Sequence, residues 1–385
     1  MKSLKTILLA SFLAVACALP ASAQTVVRIT GSTAFRSATH TAITNIFAAG
    51  FTFGYTGASA SGASQQIYTG TVSGNSVIIK TSWSGAVGGV QTVARNINVN
   101  FLPNSTPQST GGTSGATVGA ESALPDVCMT DNYQSSTIFP TPALVDQVVG
   151  VVLFKWVASI GAPAGLANIN PQQAQALFGN GDLALALFTG LSSDRTTLIP
   201  PNNDVARVFA TGRDPDSGTR LTTFAESGVG VNSQVVQYEP TISGSAVTGH
   251  APWHPITVNG IPVPLGNGGY SSGGTLATTM TKTTLAGIGG YYVSYLSTSD
   301  AATAIAGGAK ELTYNGIPFS LTAVQEGQYT FWGYEHLMYR STYTGVGKTV
   351  ADILAQRILN FDSPVLLSAM KVSRPTDGGL VTPNY

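Results

Sequence analysis

Val148 to Trp156 reads VVGVVLFKW, nine residues with one charge. A run this apolar has no face to turn to water, so it reads as a central strand of a parallel sheet, covered by helices on both faces. The rest of the chain supplies those helices. Val26 to Thr30 alternates and is β-branched, as a strand requires. Gly31, Ser32 and Thr33 follow, and then Phe35, Ala38, Ala42, Ile43, Ile46 and Phe47 recur at helical spacing. Further strands are expected at Ser76–Lys80, Asp126–Thr130, Asp204–Ala210, within Ile288–Tyr295 and within Tyr329–Tyr339. Helices are expected from Asn170-Pro171 to about Phe178 and from Thr349 to Leu359. Strands alternating with helices define an α/β chain with largely parallel sheets. Asn259-Gly260 and Asn315-Gly316 predict tight hairpins. Phe51–Gln66 and the low-complexity stretch Asn104–Ala120 read as loops. No repeat of solenoid or propeller length is present.

At 385 residues and 43% hydrophobic composition, the chain is long enough for two domains with a sizeable core. Residues 1–23 read as an export signal. Lys2 and Lys5 precede the apolar stretch Ile7–Leu19, and Ala21-Ser22-Ala23 is a small-x-small cleavage site. The apolar run is short for a membrane anchor of about 20 residues. Lipidation at Cys17 calls for a large aliphatic residue where Ala14 stands. The expected location is therefore periplasmic or secreted, with the mature chain starting at Gln24. Without residues 1–23 the balance is 16 basic against 18 acidic residues, which lacks the basic stripe of a nucleic-acid partner. Cys128 is then the lone cysteine and reads as a small buried hydrophobe.

Only 9% of residues are charged, yet GRDPDSGTRLTTFAESG, from Gly212 to Gly228, gathers two arginines and two aspartates between Arg213 and Arg220. Asp214 precedes Pro215 and is held extended. Asp216 or Ser217 caps a helix whose apolar face is Leu221, Phe224 and Ala225 and which Gly228 ends. Ser217, Gly218 and Thr219 then lie at the cap and first turn, where free N–H groups and the positive end of the helix dipole face outward. Arg213 can add a planar fork of donors. Two readings stand: an oxyanion site, or a well-capped surface helix. The Ser32-Thr33 turn alone reads as a structural cap, but both turns would present N–H groups at strand ends.

The order of these motifs resembles the phosphate-binding proteins of ABC transporters, the PstS-like periplasmic binding proteins. ITGSTAFRSA, GGVQTVA, NINPQQAQALFGNG, GRDPDSGTRLTTF and YSSGGTLATTMTKTTLAGIGGYYVSY carry the likeness, and Arg213 with Ser217-Gly218-Thr219 is its specific part. The resemblance implies an α/β, two-lobe fold hinged by two crossing segments, near Val149–Leu153 and Tyr329–Gly333. Lobe I would comprise 24–150 and 332–385, and lobe II 151–331. It implies a monomer that captures phosphate or a similar oxyanion in the interlobe cleft, hands it to transporter membrane components, and needs no cofactor, metal or chemistry. Carried over by position, the anion would meet Ser32 and Thr33 from lobe I, and Arg213, Ser217, Gly218 and Thr219 from lobe II. Asp131 would accept the proton of a protonated phosphate, although a turn-forming role before Asn132 fits it equally. Pro215 stands where many members carry an acid, and Val87 where a serine is usual.

Two rivals remain. Gly269-Tyr270-Ser271-Ser272-Gly273 fits a nucleophile-elbow pattern, but no buried strand leads into it. His250 and His254 have metal-pair spacing with Pro252 between them, and read as loop residues. A secreted surface or matrix protein that keeps the binding-protein fold without phosphate binding is the stronger alternative. A sealed Arg213 or a filled cleft would mark it.

Overall fold

The computed structural model describes residues 24–384 apart from 118 and 120. The proposed export signal and Cys17 lie outside the described residues. The first lobe is built on β1 (Thr25–Gly31), α1 (Arg36–Ile46), β2 (Thr52–Thr56), β3 (Gln65–Val72), β4 (Asn75–Trp83), α2 (Ala86–Ala94) and β5 (Val127–Thr130). The long strand β6 (Val145–Ala158) leads into α3 (Pro171–Asn180), β7 (Arg207–Ala210), α4 (Gly218–Glu226), α5 (Gly273–Met280), β8 (Gly290–Ser297), α6 (Thr298–Ala306) and β9 (Lys310–Tyr314). The chain returns through β10 (Trp332–Tyr339) and α7 (Gly345–Arg357).

One sheet runs through both lobes in the order β7-β8-β6-β10-β5-β1-β4-β3-β2. β6 joins the halves. Its residues up to Leu153 pair with β10, and from Phe154 onward it pairs with β8 and β9. The two crossing segments touch where Phe154 N donates to Phe331 O at 3.3 Å. This is the α/β, two-lobe arrangement with two crossing segments that the resemblance implies.

β6 is central and buried, as its composition demands, but it is antiparallel to β8, β9 and β10 alike. An apolar run records burial on both faces and carries no information on strand direction. The sheet is mixed for the same reason: β1 pairs in parallel with β4 and β5, while β2, β3 and β4 form antiparallel pairs. Around β6, Trp156 packs against Tyr295, Phe178 and Phe331, with ring centroids 5.4–6.1 Å apart. Buried aromatic pairs contribute about 0.5–1.5 kcal/mol each beyond their area. The hinge is therefore a packed aromatic core.

Phe51–Gln66 is not a single loop: Thr52–Thr56 is a strand and Gln65 opens another. Phe51, Phe53 and Tyr55 stack in sequence along it, an alternation that the glycine- and serine-rich residues after it conceal. Part of Asn104–Ala120 is also strand, since Thr113–Ala116 pairs with β2. Gly88 and Gly89 lie inside the first turns of α2. A Cβ on Gly89 would stand 2.6 Å from Gly31 Cα, so the helix approaches β1 through that glycine. Both Asn-Gly turns form, with Asn259 and Gly260 at φ 48° and 80° and Asn315 and Gly316 at φ 53° and 80°. His250 lies in the strand Ala246–Pro252, not in a loop.

Gly31 sits at φ 122° and a Cβ there would strike the Met129 backbone carbonyl. Gly31→Ala is expected to lower stability by about 2–4 kcal/mol, read by urea unfolding. A loss below about 1 kcal/mol would show that the turn relaxes without strain.

Candidate anion-binding cleft

The first turn is anchored before it can serve a ligand. Ser32 N donates to Met129 O at 2.8 Å, and Ser32 Oγ accepts from Ala34 N at 3.2 Å and Phe35 N at 3.3 Å. Ser32 therefore closes the turn that leads into α1, while Thr33 turns its hydroxyl toward the second lobe. Arg213 Nη2 lies 3.5 Å from Thr33 Oγ1.

α4 is not a surface helix. Every residue from Gly218 to Phe224 is buried. Its N-terminus points into the junction of the lobes. Ser217 is the cap, with Oγ accepting from Arg220 N at 3.3 Å. The N–H groups of Gly218 and Thr219 have no acceptor within the helix and take none elsewhere among the described residues. A Cβ on Gly218 would stand 2.5 Å from both Asp131 Oδ1 and Asn132 Oδ1, and 2.6 Å from Ala86 Cβ. Glycine at this position is what lets the first lobe meet the helix end.

Arg213 is 2% exposed. Its Nε donates to Tyr270 O and its Nη2 to Ser271 O, both at 2.9 Å, and it forms no ion pair among the described residues. A buried cation without a carboxylate partner is costly unless an anion joins it. Arg220 has a different task. It donates to Arg213 O at 3.0 Å, Asn267 O at 2.8 Å and Asn267 Oδ1 at 2.6 Å, and so braces the turn that carries Arg213.

Asp131 is 1% exposed, and neither carboxyl oxygen has a hydrogen-bond partner. Burial pushes it above the usual carboxylate range, against the pull of the Ser32 hydroxyl, Arg213 and His336. The junction around it is bonded through Asn132 Nδ2, 2.8 Å from Thr222 Oγ1, and through Thr222 Oγ1, which donates to Asp131 O at 3.3 Å. All seven residues singled out from sequence, namely Ser32, Thr33, Asp131, Arg213, Ser217, Gly218 and Thr219, are thus found around this one junction. Ser217 serves the helix as its cap.

Asp216 crosses the cleft in the other direction. Its carbonyl accepts from Val87 N at 3.1 Å, and its Oδ1 accepts from Asn259 Nδ2 at 2.6 Å. A Cβ on Gly88 would clash with the same carboxylate, which lies against the first turn of α2. Burial first, and Asp214 second, push Asp216 up to about 7, against Asn259 and Arg213.

Sequence reasoning missed three participants. Arg36 opens α1 three residues after Thr33 and feels both Asp300 and Arg213; a cation at a helix start directly after the Gly31-Ser32-Thr33 turn was the available signal. Asp216 was seen only as a cap. Glu335 is fully buried with both oxygens unpartnered, and burial and Asp131 raise it well above its ordinary range. It follows from the pairing of His336 with Thr130, which makes Glu335 and Asp131 the next residues on two antiparallel strands. That neighbourhood is invisible without strand register.

The rival constellations do not assemble. Residues 269–273 form the loop that holds Arg213, with Tyr270 N donating to Gly212 O at 2.9 Å and Asp214 N to Tyr270 O at 3.1 Å. His250 Nδ1 meets Tyr292 OH at 3.2 Å, and His254 Nδ1 meets Glu239 at 2.5 Å. No group of three metal-ligating side chains occurs among the described residues. No helix among them is long and apolar enough to cross a membrane.

Comparison with protein-family models and with curated sequences finds no match. Among solved structures, the chain is similar to a Clostridium perfringens protein assigned as a phosphate ABC transporter substrate-binding protein, with phosphate bound. The identity is 12% and the TM-score 0.49, over 89% of this chain and 99% of that one. An ABC-type phosphate transport receptor from Vibrio cholerae is 10% identical at TM-score 0.45, over 89% and 99%. The reduced regulatory domain of OxyR2 from Vibrio vulnificus is 8% identical at TM-score 0.38, over 88% and 95%. The fold described above rests on strand pairing within this chain and not on these likenesses.

Asp216 gives a signed pH dependence. Between about pH 4 and pH 7 the unfolded chain releases this proton while the folded chain keeps it, so stability falls as pH rises and levels off above about 7. Asp216→Asn, which can still accept from Asn259, is expected to flatten that part of the slope and to gain stability at pH 8 relative to wild type. Melting temperatures of both proteins from pH 4 to 8 check this; parallel curves would exclude Asp216 as the source.

Proposed function

We propose that this protein is a solute-binding protein that captures an oxyanion, inorganic phosphate in the first instance, between its lobes and presents it to an ABC transporter from the periplasm or cell exterior. It carries out no chemistry. The observation that supports the reading is Arg213: a buried guanidinium with no carboxylate partner, facing the Thr33 hydroxyl of the other lobe beside the free N–H groups of Gly218 and Thr219. An anion there would satisfy donors from both lobes at once, so binding would favour lobe closure. Asp131 would share one proton with the ligand. Phosphate brings that proton. Sulfate does not, and would face a second negative charge in a dry cleft.

The alternative, a secreted protein that keeps the fold without binding phosphate, also has an observation in its favour. Arg213 is sealed from solvent, and Asp216 lies against the α2 N-terminus where an anion would otherwise approach.

Calorimetric titration of phosphate and sulfate separates the two. Arg213→Ala is expected to weaken phosphate binding by about a hundredfold or more, the scale of losing charged hydrogen bonds at a buried site. Asp131→Asn is expected to bring sulfate to within about tenfold of phosphate. In the wild type, sulfate binding should strengthen as pH falls and Asp131 takes up a proton of its own. Wild-type protein that binds neither anion would select the alternative.

A further inference from the structure

Beside Arg213, between the lobes, lies a cavity of 400 Å³. It shares walls with the anion site: Thr33, whose hydroxyl faces Arg213, and Ser271, whose carbonyl holds the same guanidinium. An inorganic oxyanion displaces only a few waters of about 30 Å³ each and leaves most of such a volume unfilled.

The lining defines what the remainder accepts. Asp214 and Asp216 stand on one side. Asp214 Oδ1 accepts from Asp216 N at 3.1 Å and Asp216 Oδ1 from Asn259 Nδ2, which leaves the second oxygen of each without a hydrogen bond from the protein. Arg36 lines the same cavity, so its wall offers a guanidinium donor beside two carboxyl acceptors, a mixed set that suits neutral hydroxyls, which both donate and accept. Asn259, at the tip of the hairpin Ile256–Val258 and Ile261–Val263, adds an amide, and Trp83 at the end of β4 adds an aromatic wall. Acceptors, an amide and one indole suit a ring that carries several hydroxyls. The space does not end there. A second cavity of 570 Å³ shares Asp214, Thr257 and Ser271 with the first and continues along the hairpin toward Trp253 and His254.

We propose that the cleft binds a phosphate monoester of a polyhydroxylated group, a sugar phosphate, with its phosphoryl group on Thr33, Arg213, Gly218 and Thr219 and its hydroxyls on Asp214, Asp216 and Asn259. This rests on the anion reading of Arg213 given above. The phosphoryl group is held by both lobes, and the sugar lies between the hairpin and β4.

Calorimetry with the protein starting at Gln24 tests it, with inorganic phosphate, glucose 1-phosphate, glucose 6-phosphate and free glucose as titrants. At least one sugar phosphate is expected to bind ten or more times as tightly as phosphate, and glucose not to bind measurably. Thr257 and Ser64 are exposed residues that line the cavity from opposite lobes. Thr257→Phe and Ser64→Phe, each checked for an unchanged melting temperature, are expected to remove the sugar-phosphate advantage and to leave phosphate affinity within about twofold. Phosphate binding that equals or exceeds that of both esters overturns this inference and leaves the anion reading standing. An advantage that survives both substitutions overturns it too, since the sugar then lies elsewhere. Binding of neither phosphate nor ester overturns both.

Discussion

A single strand of 14 residues, Val145–Ala158, is hydrogen-bonded into both lobes. Because one half pairs with Trp332–Tyr339 and the other with Gly290–Ser297 and Lys310–Tyr314, the lobes cannot separate without bending this strand and its neighbour. The aromatic packing around Trp156, Phe331 and Tyr295 keeps the crossing dry, and unpaired backbone groups in such a place are costly. The β-sheet connection between the lobes is thereby confined to a short pair of segments. The approach of Gly218 to Asp131, and of Asp216 to Gly88, inherits its accuracy from that hinge.

Each lobe places a carboxyl group against the helix N-terminus of the other. Asp131 comes from the first lobe to the start of Gly218–Glu226, and Asp216 from the second to the start of Ala86–Ala94. Burial raises both above the usual carboxylate range, and Arg213 forms an ion pair with neither. This arrangement sets each carboxyl group at the positive end of a helix dipole. It also explains why four charges gather between Arg213 and Arg220 in a chain otherwise poor in charge. Arg213 holds the carbonyls of Tyr270 and Ser271, Arg220 braces the turn, Asp214 orders the loop by accepting from Asp216 N, and Asp216 reaches across the cleft.

The α/β class, the strand-turn-helix opening, the capped helix at Asn170 and both Asn-Gly turns were legible in the sequence, because each depends on interactions within a few residues. Asn170 shows this most directly: its side chain and Gln173 cap each other three residues apart. The strand Thr52–Thr56 escaped because its alternating aromatics border a glycine- and serine-rich stretch that dominates the local composition. The direction of Val145–Ala158 escaped because apolarity reports burial and not the sense of a neighbour.

The sequence by itself determined the local donors of the candidate site: the Ser32-Thr33 turn, the Ser217 cap, the side-chain-free Gly218 and the fork of Arg213. Chain stereochemistry sets these before any tertiary contact forms. Tertiary structure decided which carboxyl groups stand beside them and in what state. Glu335 meets Asp131 only through the pairing of two strands some 200 residues apart, and Asp216 reaches Gly88 only because the two lobes meet. Their raised protonation follows from exclusion of water, which no stretch of sequence contains.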